Sequence, residues 1–455
     1  MPSHKDLLQA HRLMTQRSAM ALISGEPDAL HQPLRRLNAG TISSLLVGAI
    51  AAAVFGVLGL ISPGSVGNLT KPGTLVIDSG SATAYVPCDS GKLCPALNFP
   101  SALLALDSDQ VRRVEVSQAS LARYSLGPTI GVPGLPQDLP AGPDLIAGPW
   151  SVCAASGGTT LVGGRAVGGT VLGPATAALA TTGHDDVWVL WNGQRLAIQP
   201  RIAQTLFPAM QVQAVPVAWL NALPQGPDFA APLIAGQGTP VTGPGNAEAT
   251  VGQIFDQSGA GGAVAQYYVL LADGKLAQID GTQAQLAERE PDAPAPRPIS
   301  PSVATADLSG TVIPRHGLPA TVPTLSPVTS GLCVTYPPDL SPRIVTGAAV
   351  PSGVTATGAT APAALTQVWL PPAHGALIGA APGPGRAGVT SYFLVTGATR
   401  YALATQSVAA VLGYNLKTQA TVLPAALLDL LPSGPPLNPA AATAPAPAAA
   451  TGMAG

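Results

Sequence analysis

Charge is scarce in this chain. Charged residues make up 10 % of its 455 positions, against roughly 25 % in an ordinary soluble domain. The formal charge is −2 and no basic patch is present, so nothing supplies the phosphate-neutralising surface that nucleic acid requires. Nucleic acid is not an expected partner. Aromatics are only 4 %, so any core rests on Val, Leu, Ile and Ala. With 51 glycines and 48 prolines, long helices cannot be the main theme, which excludes a bundle or coiled coil.

Catalytic signatures are missing too. No G-x-x-x-x-G-K-[ST], G-x-S-x-G, H-E-x-x-H or DxDxDG occurs, and the Gly-rich GAGGAV (259–264) has no Lys and precedes an expected strand rather than a helix. His184 with Asp185 and Asp186 forms the one dense polar cluster, and it reads as a solvated turn before a strand at 187–191. His316 and His374 stand in Pro/Gly loops without acidic neighbours. The cysteines lack the paired short spacings of a metal site, so neither metal nor cofactor is expected.

Against this background one long apolar run stands out. No charged residue occurs from Leu37 to Thr70, and Thr41–Ser62 is a run of mostly apolar residues long enough, at about 1.5 Å per residue, to cross a hydrocarbon layer of about 30 Å. Pro63-Gly64 ends it. A cleaved signal peptide has a shorter apolar core and a shorter head, so a retained anchor is expected. Lys5, Arg12, Arg17, Arg35 and Arg36 precede the run and the next cation is Lys71, which places the N-terminus in the cytoplasm and the rest outside. Within the run, Gly48, Ala52 and Gly56 make a small-residue stripe suited to close helix packing. Ahead of it, residues 5–23 form an amphipathic helix whose apolar side, with Leu8, Met14 and Leu22, calls for a protein partner.

Cys88, Cys94, Cys153 and Cys333 all follow the run and lie in an oxidisable compartment, where disulfides are the default. The six-residue spacing of CDSGKLC suits a local bridge around a Gly-containing turn, which leaves Cys153 with Cys333.

Four variants of one unit recur beyond the run, at 74–106, 187–207, 267–287 and 392–412, each reading as a β-hairpin followed by a small helix. Asn192-Gly193 and Asp273-Gly274 are strong hairpin signals. VPVAWLNALPQGPDF (215–229) aligns without a gap on LPAALLDLLPSGPPL (423–437), pairing Leu220 with Leu428, Leu223 with Leu431 and Gly226 with Gly434. The expected fold is α+β, mainly β: an N-terminal transmembrane helix, then hairpin-plus-helix repeats around a central β-rich body. The divisions read as a cytoplasmic arm (1–38), the transmembrane helix (39–62), repeat 1 with a connector (63–147), and the first part of the central body (148–186). Repeat 2 (187–235), repeat 3 (251–288), a Pro-rich linker (289–303), the second part of the central body (304–388), repeat 4 (389–437) and a disordered Ala/Pro tail (438–455) follow.

Several stretches, in order around one apolar run, resemble the EccB family, the single-span membrane component of actinobacterial type VII (ESX) secretion systems. They are HQPLRR (31–36), KLCPALNFPSALL (92–104) with Pro95, Asn98, Ser101 and Ala102, IGVPGLP (130–136), WSVC (150–153), QYYVLLADG (266–274) and the LPxGP tails at 223–227 and 431–435. The resemblance implies an inner-membrane anchor with a periplasmic domain of four repeats, similar to a phage-lysin cell-wall-binding subunit, around a central body. It implies EccC-like, EccD-like and EccE-like partners, self-association of the outer domains, and contact with the cell wall. Cys153 and Cys333 match the family's cysteines, whereas Cys88 and Cys94 are additions. Members are sometimes labelled ATPases, which makes a nucleotide hydrolase the alternative to a structural component.

Overall fold

The computed structural model describes residues 3–25, 33–61, 68–155, 158–209, 211–258, 264–328, 331–383 and 388–447. The chain divides into two units, Met1–Leu69 and Thr70–Gly455.

The first unit holds two helices, α1 (His4–Ser24) and α2 (Pro33–Ile61). A capping box starts α1: Ser3 Oγ accepts from Lys5 N at 3.1 Å and the Asp6 carboxylate accepts from Ser3 N at 3.0 Å. Gly25, at φ 73°, ends it in the left-handed conformation that glycine adopts without strain. Leu8, Met14 and Leu22 are 58 %, 73 % and 87 % exposed, so their apolar surface is uncovered. In α2 the described side chains run from Gly40 to Phe55. Among the described residues no helix is long and apolar enough to cross a membrane. Ser62 at the end of the expected span, His31 and Gln32 of the HQPLRR motif, and the surroundings of Gly56 lie outside what is described. A Cβ at Gly48 would meet nothing within 4 Å, and Ala52 is exposed.

The second unit contains four sheets that share one four-strand topology, extended in repeat 2 by strand Thr324–Leu325 pairing with its first strand. Repeat 1 has strands Thr74–Asp78, Ala84–Cys88, Lys92–Pro95 and Arg112–Val116. Repeat 2 has Thr176–Thr181, Val187–Trp191, Gln194–Ile198 and Val212–Ala214. Repeat 3 has Ile254–Ser258, Val264–Leu270, Leu276–Ile279 and Arg297–Pro298, and repeat 4 has Gly375–Ala381, Ser391–Thr396, Thr399–Ala402 and Ala420–Pro424. In each the spatial order is third, second, first, fourth, and the fourth strand runs parallel to the first. A helix precedes the fourth strand and another follows it. The chain then returns beside the third strand, placing Leu126 by Leu93, Gln225 by Arg195, Leu308 by Leu276 and Ser433 by Arg400.

Local chemistry explains the hairpins. Asn192 and Gly193 both have positive φ, 49° and 71°, as a two-residue turn between right-twisted strands demands. The boundaries differ from the sequence reading where a strand joins from far away. Strand Thr176–Thr181, expected in the central body, opens repeat 2, and Gly375–Ala381 likewise opens repeat 4. The expected linker 289–303 contributes strand Arg297–Pro298 and helix Pro301–Ala306 to repeat 3; a strand of two residues with a proline, paired only at a sheet edge, carries no periodic signal. Of the expected disordered tail (438–455), residues 438–447 are folded, and 448–455 lie outside the described residues. Helix Pro439–Ala442 buries Ala442 completely in the core of repeat 1, because Ala packs where a larger side chain would not.

The central body is a seven-stranded sheet ordered Thr355–Ala356, Gln367–Trp369, Gly158–Gly163, Trp150–Ala155, Leu332–Tyr336, Arg343–Thr346, Thr170–Val171. One core joins Trp150, Val152 and Val334 of this sheet to the tails of repeats 2 and 4, through Trp219, Leu220 and Leu223 from one and Leu427, Leu428 and Leu431 from the other. A second core fuses repeats 1 and 4 through Leu104, Leu377, Leu394 and Val408, and a third fuses repeats 2 and 3 through Ile202, Leu206 and Leu286. Each repeat buries one face against a neighbour, as a unit too small for a core of its own must.

Candidate functional site

Cys153 and Cys333 face each other on adjacent antiparallel strands of the central sheet, with Cα atoms 4.0 Å apart, both completely buried, and they are disulfide-bonded. The bond joins the two segments, 180 residues apart, that build the sheet. Cys88 and Cys94 form the second disulfide, across the second and third strands of repeat 1. A Cβ at Gly127 would overlap Cys94 Sγ, so this disulfide packs directly on the returning chain.

In repeats 2 and 4 the tails are held by matched contacts. Arg195 Nη1 donates to Asn221 Oδ1 at 2.6 Å and Arg400 Nη1 to Asp429 Oδ1 at 2.8 Å. Backbone bonds match as well: Arg195 N and Arg400 N donate to Pro224 O and Pro432 O, and Gly226 N and Gly434 N donate back to Arg195 O and Arg400 O. These arginines share a position in the aligned repeats, VWVLWNGQR against YFLVTGATR, and that alignment was the signal by which they could have been found.

The polar cluster at 184–186 is a knot around one carboxylate. Asp186 accepts from Thr181 Oγ1 (3.0 Å), Thr182 N (2.9 Å), Thr182 Oγ1 (2.8 Å) and Trp188 Nε1 (2.6 Å). Burial works against its charge, yet these four donors outweigh burial and hold the carboxyl well below its usual range. All its lone pairs face donors of its own turn, so it braces the entry to strand Val187–Trp191. His184 approaches only Thr182 Oγ1, at 3.3 Å. Asp280 caps helix Gly281–Ala287 through Gln283 N, and burial raises its pKa despite that bond and Arg315 at 3.6 Å. Burial also pushes up the Tyr336 and Tyr414 hydroxyls, which donate to Ala222 O and Pro140 O. These titratable groups tie segments together; no nucleophile stands beside a base among them. Among the described residues no group of three or more His, Cys, Asp or Glu is placed to hold a metal. The stretch 259–263 lies outside the described residues, and Val264 opens a strand.

The sequence profile of a family described as "Type VII secretion system ESX-1, transport TM domain B" matches residues 1–450. The chain belongs to the EccB family. A relative named ESX-2 secretion system ATPase EccB2, from Mycobacterium tuberculosis (strain ATCC 25618 / H37Rv), is 30 % identical over 341 residues, covering 70 % of this chain and 66 % of the relative. ESX-5 secretion system ATPase EccB5 of the same strain is 27 % identical over 60 % of this chain and 56 % of its own length. This EccB chain thus spans somewhat less than two thirds of the curated relatives it matches. Its fold is that of a chain in the structure of an intact ESX-5 inner membrane complex, with TM-score 0.65 and 22 % identity over 100 % of this chain and 97 % of that one. The EccB3 dimer from the ESX-3 core complex is similar over 81 % of this chain and 99 % of that one, with TM-score 0.62 and 24 % identity.

Proposed function

We propose that this EccB chain is a structural component of a type VII secretion membrane complex. The observation that carries this reading is a family profile matching residues 1–450 of a chain whose outer unit is four fused repeats on one central sheet. The reading includes an inner-membrane anchor at Thr41–Ser62, supported by the uncharged run and the cations ahead of it, with the N-terminal arm in the cytoplasm and Thr70–Gly455 in the periplasm. EccC-like, EccD-like and EccE-like proteins are the partners, α1 meets one of them through Leu8, Met14 and Leu22, and the outer units associate with one another. Gly48, Ala52 and Gly56 pack against a neighbouring helix. The repeats lie close enough to the cell wall to touch it.

Purification of the tagged chain from detergent-solubilised membranes is the test. Co-purification with a membrane ATPase and a multi-span protein is expected; recovery of the chain alone overturns the reading. For orientation, Val171→Cys should react with a membrane-impermeant maleimide in intact cells and Ser3→Cys should not. The word ATPase in the relatives' names favours a second reading, a nucleotide hydrolase. Steady phosphate release by the purified chain, abolished by one acidic substitution, would promote it.

A further inference from the structure

Each repeat sheet ends on its fourth strand, and the four ends differ. In repeat 2 that strand has three residues, in repeat 3 it has two and a proline, and in repeat 4 it closes on Pro424 while Thr421 Oγ1 donates to Ala147 O of the preceding connector. In repeat 1 it is Arg112–Val116, five residues without proline, and among the described residues no strand lies on its outer side. Of these ends it is the longest without proline. An open sheet edge recruits other strands through its free N–H and C=O groups.

Backbone geometry fixes which groups are free. Arg112 N donates to Gly73 O at 2.9 Å, and Ser79 N donates to Val116 O at 2.9 Å. In a parallel ladder alternate residues turn both their backbone groups to the same neighbour, so Arg112, Val114 and Val116 serve strand Thr74–Asp78, and the N–H and C=O of Arg113 and Glu115 face outward. The side chains of Arg113 and Glu115, two positions apart, share one face of the sheet, and both residues are exposed. Arg113 lies 5.4 Å over the Phe99 ring, a stacking that keeps the N–H groups in the guanidinium plane available to a carboxylate. Among the described residues Glu115 makes no ion pair.

The order Arg-Val-Glu at 113–115 is complementary to itself when reversed. Antiparallel pairing of this edge with the same edge of a second copy, about a twofold axis at Val114, sets Arg113 opposite Glu115 twice over. Both are then hydrogen-bonded pairs, so every outward N–H and C=O of these residues is satisfied, and each cross-strand pair joins opposite charges. Sliding one strand by two residues sets Arg113 on Arg113 or Glu115 on Glu115, like charges that repel. Sliding by one meets outward backbone groups with inward ones. Charge and backbone thus select the same register. We infer that Arg112–Val116 is a self-complementary docking edge, at which a second copy of this chain continues the sheet of repeat 1. The assignment rests on the proposed association of the outer units, whose surface it names. So short a contact gains strength from copies held in one complex.

The test is disulfide trapping of the full chain in the membranes of cells that produce it. At a non-hydrogen-bonded antiparallel pair the Cα atoms lie about 4.5 Å apart, within the span of about 4.4–6.8 Å that a disulfide bridges. Val114→Cys should therefore be trapped as a dimer by mild oxidation, with peptide mapping placing the link at position 114. Arg112→Cys should not, because in this register position 112 stands four residues, about 13 Å along the strand, from its copy. Glu115→Arg added to Val114→Cys leaves the Phe99 stacking in place and should lower the trapped fraction at least about tenfold; adding Arg113→Glu to both should restore it. Co-production of an Arg113→Cys chain with a Glu115→Cys chain should trap a mixed dimer, which keeps the test open should Val114→Cys not fold. The proposal is overturned by no trapping at these positions, by equal trapping of Arg112→Cys, or by trapping indifferent to charge reversal. Co-purification with membrane partners without such trapping would remove the docking edge and leave the secretion reading standing.

Discussion

Arg400 stands in repeat 4 where Arg195 stands in repeat 2, and both guanidinium groups lie 5.2 Å over an aromatic ring, Phe393 and Trp188 respectively. Each arginine thereby links the hairpin to the helix that enters the central core. Two copies of one clamp hold the two tails that share one core with the central sheet.

The clamps should differ in how much their partners matter. Asp429 is 69 % exposed at its side chain, and an exposed ion pair contributes about 0–1 kcal/mol. Asp429→Asn, which copies the arrangement of Asn221, should lower the denaturation midpoint barely or not at all. Arg195→Ala removes a half-buried stacked cation and its hydrogen bond, and should cost about 1–3 kcal/mol. Denaturant titration of both variants separates the two. An Asp429→Asn loss equal to that of Arg195→Ala would refute the shared design.

The two disulfides should be unequal. In the chain-entropy account the 180-residue separation of Cys153 and Cys333 corresponds to about 5 kcal/mol, and a loop the length of Cys88–Cys94 to about 2 kcal/mol. Replacing Cys153 and Cys333 by Ala should therefore shift the unfolding midpoint further than replacing Cys88 and Cys94. Brief thiol treatment of the folded protein should open Cys88–Cys94 first, because Cys153 and Cys333 are completely buried; peptide mapping after alkylation reads this out.

The paired tail glycines offer a third test. A Cβ at Gly434 would overlap the ring of Tyr401, while one at Gly226 would overlap Gln194 Oε1, the far end of a flexible side chain. Gly434→Ala should cost about 1–3 kcal/mol, as overpacking against a rigid ring does. Gly226→Ala should cost less, since the glutamine can swing aside. Thermal unfolding of the two variants compares them directly.

Asp186 and Glu288 should respond to pH in opposite senses. The folded-state pKa of Asp186 is depressed by its donors, so its contribution is present above the unfolded value of about 3.9 and is lost as pH falls through the lower folded value. Asp186→Asn should be destabilised at neutral pH, with the gap to the parent closing in acid. Burial raises the pKa of Glu288, Arg289 only partly opposing it and Asp256 adding to it. Its charge is therefore a burden above its folded pKa, and Glu288→Gln should be stabilising at neutral pH, with the gain vanishing below the usual glutamate range. Midpoints measured across pH show whether the two curves diverge as stated.

What is legible in the sequence follows from which forces are local. Asn192-Gly193 marks its hairpin because two successive positive φ values suit those residues and few others. The matched tails at 215–229 and 423–437 are legible as repetition before their partner is known, since Leu220, Leu223, Leu428 and Leu431 must all be buried somewhere. Strands Thr176–Thr181, Gly375–Ala381 and Arg297–Pro298 carry no such local mark, because their identity lies in their pairing. A buried Ala-rich strand reads the same in any sheet, and a two-residue strand with a proline reads as a loop. The open edge of Arg112–Val116 left no trace in the sequence at all, because a missing neighbour is a property of surroundings.

The sequence by itself determined the uncharged run, the four hairpin units, the oxidisable cysteines and the family to which the chain belongs, because turn chemistry, hydrophobic length and ordered motifs are written along the chain. Only the tertiary structure decided that each unit is completed by a parallel strand from beyond its helix, that repeats fuse in pairs 1 with 4 and 2 with 3, and that the tails of repeats 2 and 4 share one core with the central sheet. Those choices depend on which apolar faces find each other between segments well separated in sequence, and no local pattern encodes that.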